Sequence, residues 1–98
     1  MNALLPDQTN VVALTRTCCV RRLSESEVDY WSPARTGNWI MDQATGGIYA
    51  SRTITYLRDE KNPVLFVSMM RAMVGKGCFE AVEAGFVKAL AEQLTARP

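Results

Sequence analysis

This sequence of 98 residues contains no histidine. That removes the commonest general base, the usual partner of a serine or cysteine nucleophile, and the commonest metal ligand. Three cysteines remain, Cys18, Cys19 and Cys78. They lack the paired spacing of a structural zinc site, and neighbouring cysteines such as Cys18 and Cys19 are poorly placed to bridge each other. An odd count with no basic, apolar leader at the N-terminus is the pattern of reduced thiols, so a cytoplasmic location is expected. No apolar run approaches the ~18 residues that span a bilayer, and no membrane association is expected. Charge is a little below the usual level. Charged residues make up 21% and the net charge is +1, so no bulk field draws the chain to nucleic acid or acidic lipid. The glycines form no phosphate loop. Gly75-Lys76-Gly77 lacks the Walker spacing, and Ala44-Thr45-Gly46-Gly47 is ordinary turn chemistry. Cys78 with nearby Lys76 resembles a nucleophile only in outline, and a half-buried residue at a helix start explains it better. No catalytic residue, metal or cofactor is assigned, and a non-enzymatic protein is expected.

What the chain has in quantity is apolar surface, 48% of its residues. Its length fits one domain over residues 1–98 with one modest core. The densest segment is Pro63 to Gly75, where only Ser68 and Arg71 interrupt the apolar residues. Asn62 and Pro63 make a cap and first position, and Gly75 and Gly77 a stop. A helix apolar on nearly every side must be wrapped by its own fold or by a partner. A second helix is expected over 79–96. Its stripe is Phe79, Val82, Phe86, Leu90 and Leu94, with Glu80 and Glu83 in the first turn. Together the two form a C-terminal helical hairpin. Ala81, Gly85 and Ala89 make a row of small side chains along which another helix could approach. Glu83 falls within the apolar arc, and Arg71 is the expected partner of a structural ion pair.

Upstream the pattern weakens. Residues 48–60 read as a helix capped by Asp42 or Thr45, with Gly46 and Gly47 at its start, although Thr53 to Tyr56 also suit a strand. Ser24 to Glu27 fits a capping box that would open a short helix through Val28, Tyr30 and Trp31. Residues 33–41 read as loop, 11–23 as helix or strand, and 1–6 as a frayed end. The expected fold is mainly α, a compact bundle of four to five helices. The alternative is α+β with a short N-terminal strand or hairpin.

Two surfaces stand out for function. Leu65, Phe66, Met69, Met70 and Met73, with Ala81, Gly85 and Ala89, offer an adaptable apolar interface for a homodimer or another protein. Tyr30, Trp31, Arg35 and Trp39 form an aromatic loop suited to a ligand or partner. With Arg16, Arg21 and Arg22 that loop supports an alternative reading, a nucleic-acid-binding regulator. The carboxylates opening the last helix weigh against DNA reading by that helix. A small-ligand pocket under the loop is a third reading.

Overall fold

The computed structural model describes residues 19–96. The expectations for residues 1–6, for Arg16 and for most of 11–23 lie outside them. The described elements are a two-stranded hairpin, β1 (Arg21–Arg22) and β2 (Val28–Asp29), and three helices, α1 (Trp39–Glu60), α2 (Pro63–Lys76) and α3 (Ala81–Thr95). The fold is thus mainly helical, with three described helices instead of four or five.

The hairpin replaces the short helix expected after Ser24. Arg21 pairs with Asp29 and Arg22 with Val28 in antiparallel register. Ser24 Oγ does accept from the backbone of Glu27 (3.1 Å), as a capping serine would. The Leu23 N–H, however, donates to the Glu27 carbonyl (3.0 Å) and closes a turn. Serine side chains stabilise both arrangements through the same local bond, and here the pairing of β1 with β2 decides.

α1 begins nine residues earlier than the sequence pattern suggests. Asn38, not Asp42 or Thr45, caps it, its side chain accepting from Met41 N–H. Gly46 and Gly47 lie inside the helix. Gly46 is there because of α3: a Cβ on it would collide with the Val82 carbonyl oxygen and the Phe86 nitrogen. Gly85 is the reciprocal case, facing the Gln43 backbone. The two helices therefore meet at backbone contact, which only glycine permits. Lys61, in the left-handed conformation, and the Asn62 cap turn the chain into α2.

α2 and α3 are both present, but α3 packs mainly along α1 and only weakly against α2. The core joins Trp31, Tyr49, Ala50, Leu65, Met69, Met73, Val82 and Phe86 with Cys19 and Val20. Trp31 stands edge-on to Phe86, with ring centres 4.8 Å apart, and to Tyr49 at 6.3 Å. The inner side of α2 is thus covered by its own chain. Of the stripe expected on the last helix, Val82 and Phe86 are fully buried, whereas Phe79 and Leu94 are exposed. No described helix is long and apolar enough to cross a membrane.

Candidate functional site

The loop from Tyr30 to Asn38 is tied down at every few residues. Ser32 N–H donates to the Cys19 carbonyl (2.7 Å), and Ala34 N–H donates to the Tyr49 hydroxyl (3.0 Å). Asp42 reaches back from α1 and accepts from the Thr36 N–H (2.9 Å), the Thr36 hydroxyl (2.6 Å) and the Gly37 N–H (3.1 Å). These bonds, the Thr36 hydroxyl first, outweigh burial and hold the Asp42 carboxyl below the usual range.

Glu83 is the centre of this corner. Its side chain is fully buried. Oε1 accepts from Arg35 Nη1 (2.8 Å) and from the Glu80 backbone N–H (2.9 Å), while Oε2 accepts from Trp31 Nε1 (2.8 Å) and Arg35 Nη2. Burial alone would raise its pKa, but the Arg35 guanidinium, then Trp31, then the backbone donor pull the other way and leave it at about 2. The same pairing raises Arg35 further above its ordinary value. The ion pair expected between Arg71 and Glu83 is therefore replaced by Arg35–Glu83. Arg71 lies on the opposite, exposed side of α2, and among the described residues it has no ion-pair partner. The buried pair is matched donor for acceptor, the condition under which a buried carboxylate is tolerated.

This accounts for the aromatic loop. Trp31 is core and Arg35 is committed to Glu83, so neither is free to stack on a base. Tyr30 is half-buried. Of the three aromatic residues, Trp39 alone is exposed, with 58% of its surface in solvent. The volume expected beneath the loop is filled by Trp31. A cleft of about 300 Å³ opens instead at the loop's far end, between Trp39 and Phe79.

The apolar interface residues divide in the same way. Leu65, Met69 and Met73 are buried in the core cluster that also holds Cys19, Val20, Trp31 and Tyr49. Phe66, Met70 and Ala89 are half-buried. Ala81 and Gly85 are buried, and Gly85 faces α1 of the same chain. Within the small-residue row, Gly85 thus lies against a helix of the same chain. Among the described residues, two apolar surfaces flank these positions. One is the outer side of α2, where Val64, Val67 and Val74 are 62%, 54% and 77% exposed. The other is a groove of about 530 Å³ lined by Ile54, Leu57, Phe66, Leu90 and Leu94, with Arg58 at its edge.

Cys78 is half-buried, its sulfur 3.5 Å from Arg35 Nη2. No group of His, Cys, Asp or Glu among the described residues is placed to hold a metal ion. Comparison with protein-family models, curated proteins and solved structures gives no match.

Proposed function

We propose that this chain is a small non-enzymatic accessory or regulatory protein that works by association, first of all with a second copy of itself. The observation that supports this is the outer side of α2. Pro63 to Gly75 is apolar around almost its whole circumference, yet the described residues cover one side only. Val64, Val67 and Val74 stay in water. With Arg71 they are spaced three and four residues apart, the interval at which two helices interlock. Leaving three valines exposed forgoes on the order of 1.5 kcal/mol or more each. A second copy of α2 laid along the stripe recovers that burial. Arg71, a lone cation in the stripe, would then act on register more than on strength, as single polar residues in helical seams do. The proposed contact set is therefore Val64, Val67, Met70 and Val74 with the rim residue Phe66. It replaces Leu65, Met69 and Met73.

Sedimentation velocity over the micromolar range tests the reading. Wild-type protein is expected to sediment as a dimer at tens of micromolar. Val67→Glu, on the exposed side, is expected to weaken self-association by at least about tenfold with unchanged helical circular dichroism. A wild-type monomer across the whole range would overturn self-association.

A further inference from the structure

We propose that the cleft between Trp39 and Phe79 binds a methylated ammonium cation. Trp39 opens α1 and Phe79 immediately precedes the Glu80 cap of α3, so the close contact of those two helices brings both rings to one opening. They are 58% and 63% exposed and line the cleft with Gly37, Asp42, Glu80 and Ala81. The volume, about 300 Å³, is at the small end of ligand sites.

Charge sets the sign of the ligand. Three carboxylates, Asp42, Glu80 and Glu83, share this corner with one guanidinium, Arg35. The N-terminal dipole ends of α1 and α3 return roughly half a positive charge each, which leaves the corner negative by about one charge. Arg35 is spent on Glu83, while Glu80 sits 3.8 Å from it with most of its side chain in solvent. Glu80 is the carboxylate on offer.

Hydrogen-bonding capacity sets the kind of cation. The Asp42 oxygens already accept from Thr36 and Gly37, so the cleft has few acceptors left for a bare ammonium. An inorganic ion would find one exposed carboxylate, already shared with Arg35. A methylated ammonium needs neither: its methyl groups pack on aromatic faces, and its charge is met by ring quadrupoles and a nearby carboxylate. Two rings and one solvent-exposed carboxylate, Glu80, match that requirement. The site does not rest on self-association, and a monomer would retain it.

The test is a tryptophan-fluorescence titration at constant ionic strength. Trp31 is buried, so Trp39 supplies the response. Choline chloride is expected to give a saturable change in the millimolar range, with the neutral isostere 3,3-dimethylbutan-1-ol at least about tenfold weaker. Ammonium chloride is expected to give no saturable change. Phe79→Ala and Glu80→Gln should each weaken choline binding by about fivefold or more with unchanged circular dichroism. A peptide carrying Nε-trimethyllysine and vesicles of phosphatidylcholine then separate a protein source of the cation from a lipid headgroup. No saturation by choline up to about 50 mM, equal binding of the isostere, or indifference to Phe79→Ala would each overturn the proposal.

Discussion

At the residue scale the molecule turns on one carboxylate. Glu83 is charged, fully buried and held by Arg35, Trp31 and the Glu80 backbone. Removing its cationic partner leaves that charge uncompensated, so Arg35→Met is expected to cost about 3 kcal/mol in urea denaturation. Acid exposes the same dependence. The Glu83 pKa falls from 4.5 to about 2 on folding. The stability this confers is complete above pH 4.5 and is lost as pH falls from there toward 2. Asp42 shifts in the same direction and adds to the loss. Urea midpoints between pH 5 and 2.5 are therefore expected to fall more steeply for wild type than for Glu83→Gln. The sequence signals Glu83 clearly, since a glutamate inside an apolar arc must find a partner. It does not signal which one. Arg71 is the only charge between Pro63 and Gly75, while Arg35 arrives from a loop far upstream, and helical periodicity carries no information about where a loop lies.

At the scale of elements, the well-read parts are those whose signals are local. α2 has a cap, a proline at its first position and a glycine stop, and it forms over Pro63–Lys76 as the sequence indicates. α1 is misread at its start because Gly46-Gly47 is the usual mark of a break. The reason for Gly46 is non-local: it admits the backbone of α3. The hairpin is misread because Ser24 makes the same bond in a turn as in a cap. Substitution separates the glycines. A Cβ on Gly47 would meet nothing within 4 Å, whereas one on Gly46 or Gly85 would strike backbone. Gly47→Ala is expected to stabilise the fold by up to about 1 kcal/mol through helix propensity. Gly85→Ala is expected to destabilise it by about 1–3 kcal/mol through overpacking. Thermal melts of the two variants check both signs.

On the scale of the whole molecule, the inner and outer sides of α2 have separate fates. Sequence composition identifies a helix that wants cover all round. It cannot say that, among the described residues, a core with Trp31, Val20 and Cys19 takes in Leu65, Met69 and Met73 and leaves Val64, Val67 and Val74 exposed. The candidate site follows the same logic. Trp31 and Trp39 stand eight positions apart in one aromatic segment and look equivalent as letters, yet one is core and the other open to solvent. The difference arises because Glu83 draws Trp31 inward, while Trp39 begins a helix whose covered side faces elsewhere. Their functions, if the cleft binds cations and α2 pairs with its copy, reside on surfaces that the core leaves over.

The contact at Gly46 and Gly85 also has a mechanical meaning. α1 and α3 touch there at backbone level, and further along both helices line the groove of Ile54, Leu57, Leu90 and Leu94. Two rods pinned near one end behave as dividers: a small separation at the pin changes the gap between the arms. A methyl group added at Gly85, touching no groove residue, would therefore alter the width of the groove. Two helix backbones without a side chain between them gauge the opening of a surface that neither glycine reaches.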